Sequence, residues 1–338
     1  MRVINVVLCL FILFVGFVLS TSCRNAETEI GEIIELEPDL VIDGNADLDN
    51  LFTPGAILIN SEQRIFIIDP VCIKVVAYDS NGRNLFEFGR PGEGPGEFSW
   101  LNLHCDIDCN DDIYLVNMPH WIEVFSSNGE YLERISPDVE HIFDFAVYDS
   151  STIFINAVAL NDWGDYHPVI EIDRTGEIVN AFGYIGVDTE NMPRWEKFAV
   201  LQCVIDVDDE GYIYYTSVVD YRIFKYDPEG NLVFTVEGST PFEARYEPQP
   251  PHGMRTLIPV VMDLCVDQNR VYVLWGQGAE ERGSRVDVLD KDTGELLGYF
   301  YTQVPTEQCN VFIEVIDGTF FYTASYSDAI VYKFTMIH

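Results

Sequence analysis

Beyond residue 50 the chain is a succession of short apolar runs, each stopped by Asp, Asn, Gly or Ser before the next begins. The clearest instance is Val75–Phe88. Val75–Tyr78 is apolar, Ser80-Asn81-Gly82 is polar, and Leu85–Phe88 is apolar and aromatic again. Asn-Gly between two β-rich runs predicts a hairpin, because both residues tolerate positive φ. Upstream of it lie Ala56–Ile59 and Ile65–Ile68, separated by the polar Ser61–Arg64. Together these predict four strands in succession: inner, second, and an outer hairpin.

The same unit recurs. A second copy has His104–Ile107, Ile113–Val116 and Ile122–Ile135 turning at Asn128-Gly129. A third has Phe143–Tyr148, Ile153–Ala157 and Val169–Phe182 turning at Thr175-Gly176. A fourth has Cys203–Val207, Tyr212–Thr216 and Arg222–Val236 turning at Glu229-Gly230, and a fifth has Asp263–Val266, Val271–Leu274 and Val286–Phe300 turning at Thr293-Gly294. Gly82, Gly129, Gly176, Gly230 and Gly294 are thus 47, 47, 54 and 64 residues apart. Such a period with short strands is the signature of a β-propeller. A sixth unit, Val311–Ile316, Phe320–Ala324 and Ile330–Phe334, lacks an outer strand, while Ile33–Ile42 is spare at the other end. The expected fold is an all-β six-bladed propeller whose ring is closed by that N-terminal strand, which removes exposed edges.

Composition agrees. Hydrophobic content is 48% and aromatic content 13%, ample for a packed core, and no apolar 3.6 period persists after Cys23. The formal net charge of −37, spread along the chain, repels phosphate backbones and argues against nucleic acid as a partner. At the N-terminus, Arg2, the apolar run Val3–Leu19 and the small residues Ser20–Ser22 have the form of a secretory signal. Leu19-Ser-Thr-Ser-Cys23 resembles a bacterial lipobox, which makes Cys23 the candidate lipidation site and residues 23–32 a tether to the domain 33–338. An uncleaved anchor is the alternative; either way the remainder is exported to the envelope or beyond. Cys72, Cys105, Cys109, Cys203, Cys265 and Cys309 are even in number, and their pairing is left open.

The decapeptide Gly89-Arg-Pro-Gly-Glu-Gly-Pro-Gly-Glu-Phe98, the Ile-Tyr second strands (Ile113-Tyr114, Ile213-Tyr214) and the Tyr-Asp-x-x-Gly hairpins resemble the NHL-type six-bladed propellers. They are similar above all to exported bacterial lipoproteins of the 6-bladed β-propeller kind. The resemblance implies a shared face for the loops that enter each inner strand and those that join second to third strands. Trp100, Trp121, Trp163, Trp195 and Trp275 then map to that face, with Arg194, Tyr246, His252 and Arg255 from the long connections Tyr184–Val200 and Ser239–Pro259. Aromatics with Arg on scaffolded loops are what recognition surfaces use, so the expected partner is a peptide, protein or glycan. The alternative for each Trp is to fill a gap between blades.

His104, Asp144, Asp263 and Asn310 fall near the starts of inner strands, where gluconolactonase-type propellers hold a metal. A Ca²⁺-dependent hydrolase or lyase is the second expectation, although Pro54 and Gln202 stand at equivalent places and no catalytic Glu is recognisable. Asp106–Asp112 and Asp206–Gly211 look superficially like calcium loops, but they read as Asp-capped turns between first and second strands.

Overall fold

The structure is a computed structural model that describes residues 37–44, 53–117, 119–159, 166–185, 192, 194–249, 254–279, 283–302, 313–316, 318–325 and 329–336. Six four-stranded antiparallel sheets follow one another along the chain. Blade 1 is β2–β5 (Ala56–Ile59, Ile65–Asp69, Lys74–Tyr78, Asn84–Phe88) and blade 2 is β6–β9 (Leu101–Ile107, Ile113–Asn117, Trp121–Phe125, Tyr131–Ile135). Blade 3 is β10–β13 (Val139–Val147, Thr152–Ala159, Val169–Asp173, Ile178–Phe182), and blade 4 is β14–β17 (Cys203–Val207, Ile213–Ser217, Arg222–Tyr226, Leu232–Glu237). Blade 5 is β20–β23 (Val261–Val266, Arg270–Ala279, Gly283–Asp290, Leu296–Tyr301). Blade 6 is β24–β26 (Ile313–Ile316, Phe320–Ser325, Ile330–Thr335), with β1 (Leu40–Asp43) as its fourth strand, Leu40 opposite Lys333.

Within the described residues the N-terminal strand is Leu40–Asp43. Pro38, which cannot donate to a ladder, lies just ahead of it, and residues 33–36 are outside the described set. The two long connections each carry a short regular element. A seven-residue helix, α1 (Arg194–Val200), precedes blade 4, and a hairpin of β18 (Arg245–Gln249) and β19 (Met254–Ile258) precedes blade 5. No described helix is long and apolar enough to cross a membrane.

Alternation sends successive side chains to opposite faces of a blade, and each face meets a neighbouring blade. The cores therefore lie between blades. Phe66, Phe88, Phe98 and Phe125 join blades 1 and 2, while Tyr215, Phe224 and Phe182 join blades 3 and 4. Ile57, Ile67 and Tyr78 meet Tyr322, Val331 and Ile42 between blades 1 and 6. The turn glycines have a packing reason as well as a backbone one. Gly129 has φ +78°, and a Cβ there would meet Phe88 of blade 1 at 2.8 Å. Gly230 makes the same approach to Phe182 at 2.9 Å. Each hairpin tip is thus wedged against the outer strand of the preceding blade.

The Gly-rich decapeptide is a self-bonded connector. Phe98 N–H donates to the Arg90 carbonyl (2.9 Å), Gly92 N–H donates to the Phe98 carbonyl (3.0 Å), and Glu97 accepts from Gly94 N–H (2.9 Å). It delivers fully buried Phe98 to the core between blades 1 and 2. Buried Asn117 pins its end, accepting from Ser99 N–H (3.1 Å) and donating to the Glu97 carbonyl (3.1 Å) and the Glu123 carboxylate (2.8 Å).

Candidate functional site

The inner strands β2, β6, β10, β14, β20 and β24 surround an axial cavity of about 390 Å³. Its wall mixes apolar groups (Phe143, Val261, Leu264, Ile313) with five carboxyl groups: Asp106, Asp144, Asp206, Asp263 and Glu314. Each carboxyl comes from a different blade. None of the described lining residues is Lys or Arg.

Four of these carboxyls sew one blade to the next. Asp106 accepts from Val147 N–H of blade 3 (2.6 Å), and Asp144 accepts from Ile205 N–H of blade 4 (2.9 Å). Asp206 accepts from Val266 N–H of blade 5 (2.7 Å), and Asp263 accepts from Ile313 N–H of blade 6 (2.9 Å). Asp106, Asp206 and Asp263 use their second oxygen on the amide of their own next residue, at 2.7, 2.7 and 2.9 Å. Asp144 departs from that pattern: its second oxygen contacts Nδ1 of His104 at 2.9 Å. Glu314 lines the same cavity, where the charges of Asp106, Asp206 and Asp263 act on it.

Burial without a counterion disfavours the charged form, and like charges add to the effect. Asp106 is accordingly pushed up to about 7 and Asp263 to about 8, burial being the largest cause in both. Asp206 and Glu314 are held well above the usual carboxylate range, first by burial and then by the facing Asp106. The hydrogen bonds from backbone amides pull the three aspartates the other way and do not prevail. Burial likewise raises the thiols of Cys105, Cys203 (to about 12) and Cys265. It lowers His141, which His104 lowers further. At the mouth, His141, Phe143 and Phe198 of α1 form an aromatic wall with ring centroids 4.7–5.1 Å apart.

His104, Asp144 and Asp263 line the axial cavity, with the oxygens of Asp144 and Asp263 engaged as described above. Among the described residues no group of three His, Cys, Asp or Glu has the geometry to hold a metal ion. Asn310 lies outside the described residues. The Asp-rich segments are indeed turns. Asp108 accepts from the amides of Asn110 (2.8 Å) and Asp112 (3.0 Å), and Asp208 from those of Glu210 (3.0 Å) and Tyr212 (2.9 Å). In each Asp-x-Asp the second residue caps the turn and the first faces the axis. Asp106 and Asp206 could have been found from that spacing of two, whereas Glu314 carries no signal beyond being a lone acid in an apolar strand.

The tryptophans divide. Trp100 is 67% exposed, following the connector. Trp121 is half-buried, its ring 4.4 Å beneath the Arg134 guanidinium and 5.3 Å from the His120 ring. Trp275 is not on an open face. Strand β21 continues past it to Ala279, so it is buried between blades 4 and 5, where its indole N–H donates to Asp287 (3.0 Å) under the Arg285 guanidinium. Arg194 and Trp195 begin α1, Tyr246 lies in β18 opposite Leu257, and Arg255 lies in β19 opposite Pro248. The side chains of these four are outside the described set, as are Cys23, Trp163 and His252 in full. Cys72, Cys105, Cys109, Cys203 and Cys265 are free thiols.

Residues 49–184 match the sequence profile of a family described as a 6-bladed beta-propeller. No curated protein matches. The structure of a candidate exported protein from Bacteroides fragilis aligns over 94% of this chain and 98% of its own, at 12% identity and a TM-score of 0.56. A catalytically inactive variant of virginiamycin B lyase from Staphylococcus aureus, with quinupristin, aligns over 83% of this chain and 80% of its own. Identity there is 13% and the TM-score 0.50, so both likenesses are of fold alone. The chain is a six-bladed β-propeller whose first three blades match the 6-bladed beta-propeller family.

Proposed function

We propose that the protein is an exported, lipid-anchored binding module that takes a peptide, protein segment or glycan at the axial mouth of its loop face. The axial cavity carries this reading. It is walled by residues along the inner strands, and rigid strands hold its polar groups. Trp100 and the Trp121–Arg134 stack lie on blade 2 at the entry to its inner and third strands, and they supply rim contacts. Export rests on the signal-like segment before Cys23, and the exported-protein candidate of similar fold supports it.

Peptide and glycan arrays probed with the wild type and with Met262→Trp test the site. Met262 lines the cavity, so Trp there should abolish retention. Retention unchanged in a folded Met262→Trp protein removes the cavity from the function. Palmitate labelling tests the anchor, and label that persists in Cys23→Ser excludes it.

A hydrolase or lyase is the second reading, favoured by the His104–Asp144 contact. A carboxylate on Nδ1 orients the ring and leaves Nε2 as a proton acceptor. Lactone or ester turnover that His104→Gln abolishes would support it; no turnover by the wild type, with or without Ca²⁺, counts against it.

A further inference from the structure

We propose, building on the second reading above, that His104 is a general base held in place by Asp144, and that it takes a proton from an uncharged substrate with a flat ring. The pair joins blade 2 to blade 3 at the cavity wall, Nδ1 of His104 standing 2.9 Å from Oδ1 of Asp144. A neutral imidazole that donates from Nδ1 carries its lone pair on Nε2. With Nδ1 taken, Nε2 is the ring nitrogen left for a ligand in the cavity that His104 lines.

Asp144 departs from the arrangement its counterparts share. Asp106, Asp206 and Asp263 each hold an amide of the next blade with one oxygen and the amide of their own next residue with the other. Asp144 keeps the first bond, to Ile205 N–H at 2.9 Å, and gives its other oxygen to the imidazole. Both partners stand where an inner strand leaves regular pairing. Phe143 is an extra residue between Ile142, opposite Ala157, and Asp144, opposite Asn156. Between the Leu101–Asn117 and Cys105–Leu115 pairs, Asn102, Leu103 and His104 are opposed by Val116 alone. Bulges re-aim side chains and are over-represented beside active sites. A similar bulge at Met262 leaves Asp263 in the shared arrangement, so the imidazole, and not the bulge by itself, accounts for the exception. The Ile205 bond fixes the carboxylate from a third blade, as a base requires of the group that orients it.

The surroundings decide what kind of substrate fits. The described lining residues include no Lys or Arg, so an anion finds no counter-charge there. The Phe143 ring lines the cavity, with the His141 ring 5.0 Å and the Phe198 ring 4.7 Å from it. Aromatic rings take stacked or edge-on partners at such distances, and about 390 Å³ accommodates a fused pair of rings. His141, Phe143 and Asp144 share one strand and all line the cavity, so a ring laid on that wall lies beside the dyad.

Turnover of nitrobenzisoxazole by the full chain tests the inference, since this probe is uncharged, flat and bicyclic. A base removes the proton on the ring carbon next to nitrogen, and the C–H electron pair becomes the third bond of a nitrile. The N–O bond breaks with its electrons on the phenolate oxygen, and Nε2 of His104 then returns the proton to solvent. Saturable release of the coloured phenolate is expected, and His104→Gln should lower kcat/KM at least about a hundredfold, the ordinary worth of a general base. Added imidazole should restore part of the turnover to His104→Ala, which a merely structural histidine would not allow. Asp144→Asn keeps an acceptor for Ile205 N–H, but its amide N–H cannot accept from Nδ1; kcat should fall about tenfold or more with KM little changed. An analogue with a carboxylate in place of the nitro group, each rate divided by its rate in buffer, should gain at least about tenfold less. Glu229→Gln, on an exposed turn, should change nothing. No turnover by the wild type overturns the inference, as does turnover that survives His104→Gln, which assigns the base to a carboxylate. Equal gain with the two probes overturns the substrate class. Lactone or ester turnover that needs His104, with nitrobenzisoxazole untouched, removes this inference and leaves the hydrolase-or-lyase reading standing. Nitrobenzisoxazole turnover that needs His104, with no lactone or ester consumed, does the reverse.

Discussion

Glu314→Gln should make this protein more stable, and increasingly so as pH rises. Glutamine has the same shape, and no described N–H donor loses its acceptor, so the substitution removes little besides the ionisable proton. In the unfolded chain Glu314 titrates near its ordinary 4.5, whereas in the folded channel burial and the facing Asp106, Asp206 and Asp263 hold it well higher. Between those two values the folded protein binds a proton that the unfolded chain has released. A raised carboxyl therefore contributes stability in full below about 4.5 and loses it progressively as pH climbs towards the folded value. The loss is at most about 1.4 kcal/mol per pH unit for one proton, so the advantage of Gln should grow with each unit above about 4.5 until the folded carboxyl ionises. Urea unfolding of both proteins at half-unit steps from pH 4 to 8 measures this. The two curves should converge at acid pH and separate above it. A constant difference, or a Gln variant that is the less stable at pH 8, would refute the electrostatic account.

Asp206→Ala strands the amides of Val207 and Val266, and at pH 5 it should cost about 2–6 kcal/mol in urea unfolding, about 1–3 for each orphaned donor. Gly129→Ala forces a Cβ onto Phe88 at positive φ and should destabilise by about 1–3 kcal/mol. Gly298→Ala, with nothing within 4 Å of its Cβ, should be neutral or slightly stabilising in the same assay. Trp275→Ala should cost about 3–5 kcal/mol, as expected of a core aromatic, while Trp100→Ala should stay within about 0.5 kcal/mol; equal effects would show that their burial has been misread.

The blades were readable because each strand reports its environment twice. Side chains of Val75–Tyr78 and Ile65–Ile68 are buried on both faces between blades, which gives continuous apolar runs, and the outer hairpins end at glycines that must pass beneath the neighbouring rim. The axial acids were less readable. Asp106 sits two residues from Asp108, and polar-turn chemistry accounts for both until the strand's direction is known. Trp275 misled because β21 outruns its counterparts, so a position that ends other second strands is interior here. The helix Arg194–Val200 is too short for a 3.6 period to register, and β18 and β19 contain Pro248 and Arg residues that mask alternation.

The carboxylate stitches run in one direction, from blade 2 to 3, 3 to 4, 4 to 5 and 5 to 6. Blades 1 and 2 are joined the other way round, by Asp111 of blade 2, which accepts from Ser61 N–H (2.9 Å) and the Ser61 hydroxyl (2.7 Å) of blade 1. Among the described residues no carboxylate crosses from blade 6 to blade 1, where Ile57, Ile67 and Tyr78 pack on Tyr322 and Val331. The ring thus has a built-in seam: under mechanical load, or in native-state hydrogen exchange, it should part first between blades 6 and 1, and the six blades should stay joined as an arc.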